Sequence, residues 1–423
     1  MTVIAFLDVP TSPLLLSDML LSRVRTATSG GGIFLPALGD IHLAERVVER
    51  ALPFAASRMV RKPFIVSEHL HVAWAGDLSA GTTFRQSLLK LAQGSLRGKD
   101  LFRAALSTLD LEQQRTFAAI AVELPDAQAP LWRDHIQVYE HRCIAYDSPL
   151  WGRCYFGGSG GPDLQEWISK RDAHWSASLG EKPQLLAELL CAKLLFNETL
   201  LLAQQDNSRF SSLLESGCGG FYEASRFGPG GVCVPRNAAH LNLQRTSSGA
   251  LSLTRLIIYS TSMPIANAGR VALVSSLIAS PVAIELDGAH FRFSCDEVDV
   301  VMCPPFWSDE WPKDHIHVRT RQPVEVFGKS VIRFQVVTAT IFEDGAQLPI
   351  EVIDGYDPDT QARILESSDA GRHQLFVELF DDNDPQVEIG IVNDTLWVQF
   401  STALVNRIGD RFARSLGDNH LLT

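Results

Sequence analysis

The sequence predicts an α+β protein whose second half is mainly β. Three observations predict it. The first residues form short apolar, β-branched runs separated by Pro-bounded turns. One long leucine-rich run, from Gln184 to Gln205, keeps a helical period. Beyond residue 240, strand-like runs follow one another with only short Gly, Pro, Asp or Ser breaks.

Val3-Ile4-Ala5-Phe6-Leu7, the turn Pro10-Thr11-Ser12-Pro13 and Leu14-Leu15-Leu16-Ser17-Asp18 read as strand, turn, strand. A hairpin of this length returns Asp18 beside Thr2. Gly30-Gly31-Gly32 and Pro36 then interrupt the chain. A helical run follows from Asp40 to Leu52, with Ile41, Ala44, Val48 and Ala51 on one face and Asp40 as N-cap. A second hairpin spans Lys62 to Gly76; Pro63 is acceptable at its first strand residue. A strand pair, His135 to Asp147 and Gly152 to Phe156, leads into the turn Gly157-Gly158-Ser159-Gly160-Gly161. After the long helical run comes Glu215-Ser216-Gly217-Cys218-Gly219-Gly220.

A boundary falls at Gly228-Pro229-Gly230-Gly231 and Pro235-Arg236-Asn237, dividing residues 1–235 from 236–423. In the second part strands are predicted at Ser252 to Tyr259, Arg270 to Leu277, Val282 to Leu286, His290 to Ser294, Glu297 to Met302 and His315 to Arg319. More follow at Val324 to Phe327, Val331 to Phe342, Gln374 to Leu379, Gln386 to Val392 and Thr395 to Phe400. Only Ala403 to Leu416 has a helical period there.

With 46% hydrophobic and 20% charged residues, the 423-residue chain can bury a sizeable core, and its length fits two domains. A net charge of −12 argues against a nucleic-acid partner, whose phosphates demand a basic surface. The seven cysteines include no Cys-x-x-Cys pair and are odd in number, which points to free thiols in a reducing cytoplasm. Met1 to Leu21 lacks a basic n-region, and Asp8, Pro10, Pro13 and Asp18 interrupt it, so no export signal is expected. Glu188, Lys193, Asn197 and Glu198 mark the long apolar run as a core helix instead of a membrane span.

Thr2 carries the chemistry. If Met1 is removed, Thr2 holds a hydroxyl and a free α-amine, nucleophile and base on one residue. Such an amine has a pKa of roughly 7.7–8.0 and is partly neutral near pH 7. Asp18 lies 16 residues after Thr2, and Gly76 lies 14 after Lys62. With the Gly-Ser-Gly turn at Ser159 and the Glu215 to Gly220 segment, in that order, residues 2 to about 235 resemble the catalytic β-subunits of the proteasome, within the N-terminal nucleophile (Ntn) hydrolases. Glu215 and Cys218 depart from that family's Asp-Ala-x-Ser-Gly-Gly motif, and the segment between Asp18 and Lys62, about residues 25–60, is an insertion relative to its compact pattern. The insertion is expected to cover or border the site.

The resemblance implies a four-layer α-β-β-α sandwich and an N-terminal threonine hydrolase acting on a peptide or small amide, in a homo-oligomer. It implies that Thr2 attacks the carbonyl, with its own α-amine as base. Lys62 would stabilise the developing alkoxide and hold the amine neutral, paired to Asp18. The Gly76 N–H would receive the oxyanion, and Ser159 and Glu215 would hold the amine. No cofactor or metal is implied.

Two other readings stay open. One is a non-catalytic scaffold on the same fold. The other takes Gly157-Gly158-Ser159-Gly160-Gly161 as the Gly-x-Ser-x-Gly elbow of a serine esterase, with His240 or His290 completing a triad. That elbow demands a parallel sheet with alternating helices, which the strand-after-strand pattern beyond residue 240 disfavours. His315-Ile316-His317 and Phe380-Asp381-Asp382-Asn383-Asp384 have metal-like spacing but lack a completing ligand set, so a solvated strand face and an acidic turn are expected. The loop from Pro304 to Pro312 reads as a buried plug over the β module.

Overall fold

The computed structural model describes residues 2–10, 12–24, 33–41, 54–126, 131–170, positions 187, 190–192, 194, 195 and 198, then 213–229 and 231–233. Beyond these it describes 238–245, 251–260, 271–284, 291–295, 298–303, 316–320, 332–334, 336–342, 375–380, 387–392, 395–401 and 406. The chain is mixed α and β, with sheets that are almost wholly antiparallel and few helices.

The first half builds β1 (Ile4–Leu7), β2 (Leu14–Asp18), β3 (Leu20–Val24), β4 (Phe34–Leu35), β5 (Gly39–Asp40), β6 (Phe54–Met59), β7 (Phe64–Ser67) and β8 (Leu70–Ala75). It continues with β9 (Ala118–Glu123), β10 (Gln137–His141), β11 (Cys143–Ser148), β12 (Gly152–Gly157), β13 (Tyr222–Gly228) and β14 (Gly231–Cys233). A six-stranded sheet has the order β11-β12-β1-β2-β13-β14, and a four-stranded sheet the order β10-β9-β8-β7. Every pairing within them is antiparallel. The predicted hairpins are therefore β1–β2 and β7–β8. The predicted pair beyond residue 135 is present as β11–β12, but its first strand, predicted from His135 to Asp147, is divided: β10 joins one sheet and β11 the other, with Arg142 between them in the left-handed region at φ 55.

The central strands β1, β2, β8 and β9 are mostly apolar because both faces are covered, with Ser17 and Asp18 of β2 and His71 of β8 the buried polar exceptions among their described residues. Along β1, Val3, Ala5 and Leu7 enter one apolar cluster, while Ile4 and Phe6 enter another. Leu14 and Leu16 of β2 follow the first group, and Leu15 the second. In the four-stranded sheet, Ala73, Ala75, Ala118, Ile120 and Val122 face Ile4 and Phe6, so one cluster joins the two sheets. Val72, Trp74, Ala119 and Ala121 point the other way. They meet Ala80, Phe84 and Leu88 of α1 (Leu78–Ala92) and Leu101, Phe102 and Ala105 of α2 (Gly98–Leu106). Burying each such phenyl ring contributes about 2 kcal/mol.

The helix starts are chemically marked. Asp77 caps α1 by accepting from the N–H groups of Ser79 and Ala80, and Asp110 forms a capping box with Gln113 at α3 (Leu111–Thr116). On the outer face of the six-stranded sheet, Leu164, Trp167 and Ile168 of α4 (Gly161–Ser169) meet Ala187, Leu190 and Leu194. The described positions from 187 to 198 are helical, as the leucine pattern predicts.

In the second half a seven-stranded sheet runs Ile316–Thr320, Val298–Cys303, Val271–Ile284, Leu251–Ser260, Ala238–Arg245, Val336–Phe342, Leu375–Phe380. A four-stranded sheet runs Phe291–Cys295, Thr395–Phe400, Val387–Val392, Ile332–Phe334. Ala238–Arg245 and Val336–Phe342 form the one parallel pair among the described residues. The runs predicted as two strands at 270–277 and 282–286 form one strand, Val271–Ile284. Its pairing jumps from Leu277 to Val282, because Pro281 has no N–H for the ladder and an irregularity absorbs it. The strand predicted at 324–327, the loop 304–312, His315, His290, the acidic turn 381–384 and all but residue 406 of the C-terminal helix lie outside the described residues. Of the helix predicted from Asp40 to Leu52, residues 42–52 also lie outside them, while Asp40 ends β5 and Ile41 is helical.

The insertion does not stand apart. Among its described residues, β3 pairs with β6 and β4 with β5, and Leu20, Phe34, Leu35, Phe54 and Met59 share a cluster with Phe221, Ala238, Ile257, Tyr259 and Val301. The rings of Phe221 and Tyr259 stack at 5.2 Å, so apolar contact crosses the boundary expected near residue 235. His240 is buried beside this cluster, and desolvation pushes its pKa down to about 4. The unfolded chain therefore binds a proton that the folded one refuses. Its stabilising effect is complete above about pH 6.5 and is lost as pH falls towards 4, a change of about 3 kcal/mol. Thermal melts of wild type and His240→Gln at pH 7 and pH 4.5 are expected to show the smaller acid-induced loss in the variant; equal losses would refute the assignment.

Candidate functional site

The β1–β2 register sets Ile4 opposite Ser17, which places Asp18 at the mouth of the hairpin beside Val3. Its carboxylate is fully buried and saturated with donors. Oδ1 accepts from the Val3 N–H at 2.8 Å and from Lys62 Nζ at 2.5 Å, and Oδ2 accepts from the Gly219 N–H at 3.0 Å. Lys62, just ahead of β7, is equally buried, and its ammonium donates a second bond to the Leu20 carbonyl at 2.8 Å. Burial pushes the lysine pKa down, and Asp18 opposes that shift. The short link from β2 to β3 thus supplies both partners of the cation.

Thr2 is 1% exposed and is held on three sides. Its hydroxyl Oγ1 accepts from the Gly76 N–H at 2.9 Å, at the end of β8. Its nitrogen donates to Ser159 Oγ at 3.1 Å, and its carbonyl accepts from the Gly160 N–H at 3.2 Å. That nitrogen is a peptide N–H while Met1 is attached and an α-amine once Met1 is gone. The turn after β12 comes close because Gly158 allows it: a Cβ there would lie 2.3 Å from the Thr2 carbonyl oxygen and 2.7 Å from the Ala75 Cβ. Ser159 itself is exposed, so one side of the group opens to solvent.

Five of the six residues expected at the site are therefore linked through Thr2: Gly76 and Ser159 directly, and Asp18 and Lys62 through the Val3 N–H. Two expectations differ from the geometry. The Lys62 ammonium bonds Asp18 and Leu20, not the Thr2 hydroxyl, which turns instead to Gly76. Glu215, half-buried in the turn 213–217, is not joined to Thr2 by these bonds; its neighbour Ser216 bonds Asp163 of α4.

The second acidic group near Asp18 is Glu198, fully buried, whose Oε1 accepts from the Gly220 N–H at 2.9 Å. Burial raises its pKa to about 8, against hydrogen bonds from Tyr222 and Gly220. Its sequence signal is a carboxyl within the leucine-rich run, one of two there with Glu188, which points only to a core helix instead of a membrane span. Cys218 Sγ lies 3.9 Å from Ser159 Oγ, and burial pushes its thiol up to about 12, so it is held protonated.

The scan against protein-family models and the search of curated proteins both return no match. The arrangement itself offers a hydroxyl with a backbone N–H aimed at it, a nitrogen on the same residue, and a buried cation tied through Asp18 to the Val3 N–H. Among the described residues the esterase geometry is lacking, and His290, its other candidate histidine, lies outside them. Ser159 follows β12 in an antiparallel sheet, and among the described residues no histidine hydrogen-bonds it. His240 lies buried in the strand Ala238–Arg245. Among the described residues no helix is long and apolar enough to cross a membrane.

Proposed function

We propose that residues 2 to about 235 form a four-layer α-β-β-α sandwich of the N-terminal nucleophile kind, and that Thr2, freed of Met1, cleaves amide or peptide bonds. The observation that carries this is the convergence on Thr2 of Gly76, Ser159 and the Asp18–Lys62 pair. The Thr2 hydroxyl adds to the substrate carbonyl and passes its proton to the α-amine, which Ser159 orients. The carbonyl oxygen becomes an anion and takes the Gly76 N–H as donor. The C–N bond then breaks, the departing amine takes the proton, and an ester remains on Thr2. Water adds to that ester and releases the acid, restoring the hydroxyl. Lys62 acts through its positive charge, which favours the alkoxide and keeps the neighbouring amine neutral. A peptide or small amide substrate, a homo-oligomeric state and a cytoplasmic setting belong to the same proposal.

A specific observation favours the scaffold as the second reading. Thr2 is 1% exposed and its hydroxyl occupies the N–H that an oxyanion requires. Substrate must displace that bond.

The test is intact mass together with an α′,β′-epoxyketone, which couples to a hydroxyl and amine on one residue. The expected result is loss of Met1 and one adduct that maps to Thr2 and vanishes in Thr2→Ala. Thr2→Ala should leave the melting temperature close to that of wild type, since one hydroxyl's hydrogen bond contributes only about 1 kcal/mol. A mature chain that retains Met1 and takes no adduct would establish the scaffold.

A further inference from the structure

Gly219 and Gly220 stand between two buried carboxyls. The Gly219 N–H donates to Asp18 Oδ2 at 3.0 Å, and the next N–H, of Gly220, donates to Glu198 Oε1 at 2.9 Å. Only glycine fits between them, because a Cβ on Gly219, at φ +137, would lie 2.1 Å from Glu198 Oε1 and 3.1 Å from the Tyr222 hydroxyl. Tyr222 is the register partner of Asp18 on β13 and hydrogen-bonds Glu198. Glu198 Oε2 has no hydrogen-bond partner among the described residues, so nothing there compensates a second buried negative charge.

We propose that Glu198 is a positioning residue for the Asp18–Lys62 pair, acting through the Gly219–Gly220 backbone. The inference rests on the proposed Thr2 chemistry for its activity readout, but its geometry does not. As a neutral acid, Glu198 accepts from Gly220 and so aims the Gly219 N–H at Asp18. Asp18 then holds Lys62 and the Val3 N–H, and through Val3 the backbone next to Thr2. Ionisation of Glu198 adds a second anion behind Asp18. Among the described residues, the groups facing Glu198 are Asp18 from β2 and Tyr222 from β13, with Cys218 and Lys62 around Asp18. An extra negative charge there favours the protonated form of Lys62 and disfavours a developing alkoxide at Thr2.

The test compares wild type, Glu198→Gln and Glu198→Ala. Glu198→Gln keeps a neutral oxygen acceptor for Gly220; Glu198→Ala removes it. Epoxyketone labelling of Thr2 is expected to fall roughly tenfold in Glu198→Ala and to be restored by Glu198→Gln. From pH 7 to pH 9 the wild-type rate should fall several-fold relative to Glu198→Gln, because only wild type ionises across the pKa of about 8. The second readout is the side-chain ¹⁵N titration of Lys62, which needs no activity. Lys62 is expected to stay protonated to higher pH in wild type than in Glu198→Gln. Identical Lys62 titrations in wild type and Glu198→Gln would overturn the inference, even if Glu198→Ala fails to fold. A wild-type chain that does not label, with Lys62 titrations that differ as expected, overturns the hydrolase reading and leaves the positioning role standing.

Discussion

Replacing Lys62 by alanine is expected to cost about 3–5 kcal/mol of stability and to slow labelling of Thr2 by about a hundredfold or more. The stability loss comes from Asp18, not from the lysine. Its fully buried carboxylate would keep the Val3 and Gly219 N–H groups but lose its only cation among the described partners. The Leu20 carbonyl would lose a donor as well. Lys62→Met combined with Asp18→Asn removes both charges and retains the volume, so it should recover most of the stability. It should recover none of the labelling, because the charge beside Thr2 remains absent. Urea denaturation and labelling rates on wild type and these two variants check both halves. Equal losses in single and double variants would show that packing of the lysine stem, and not the ion pair, holds this corner.

Gly158→Ala is expected to destabilise the protein by about 3 kcal/mol and to disable Thr2 while leaving every side chain of the site in place. The new methyl would press on the Thr2 carbonyl oxygen at 2.3 Å and on the Ala75 Cβ at 2.7 Å, in a backbone of φ +86. Gly231→Ala is the matched control. It too has a positive φ, +98, but nothing lies within 4 Å of the added carbon, so about 1 kcal/mol of backbone strain is expected there. The difference between the two in thermal or urea melts isolates the close approach of the turn to Thr2. If the two variants melt together, that approach is not tight.

Much of the strand framework was legible locally. A residue on a covered two-sided strand must be apolar at every position, and the turns between such strands need Pro, Gly, Asn or Asp. Both hairpins, the leucine-rich helix and most of the second-half strands follow from that; α1, α2 and α3 were not predicted, although Asp77 and Asp110 mark the starts of two of them. The spacing of Thr2 to Asp18 and of Lys62 to Gly76 also placed four residues at one end of two hairpins, because a hairpin's length sets where its ends meet. The split between β10 and β11 was not legible. An apolar or alternating pattern reports how many faces are covered, not which sheet covers them, and only one residue, Arg142, separates the two strands.

By itself, then, the sequence determined a mixed α and β chain of antiparallel hairpins, and it singled out Thr2, Asp18, Lys62, Gly76 and Ser159. Only the tertiary structure decided which atoms they share. It turned the Thr2 hydroxyl to Gly76, gave Lys62 to Asp18 and the Leu20 carbonyl, and brought Glu198 to the Gly219–Gly220 backbone. It also packed the insertion against the second half, through Phe221 and Tyr259. The physical reason is range. Strand and helix periods depend on neighbours a few residues apart, whereas Glu198 reaches Gly220 across 22 positions and Gly219 reaches Asp18 across 201. No local pattern encodes a hydrogen bond over that distance; it exists only once both sheets and the helix are in place.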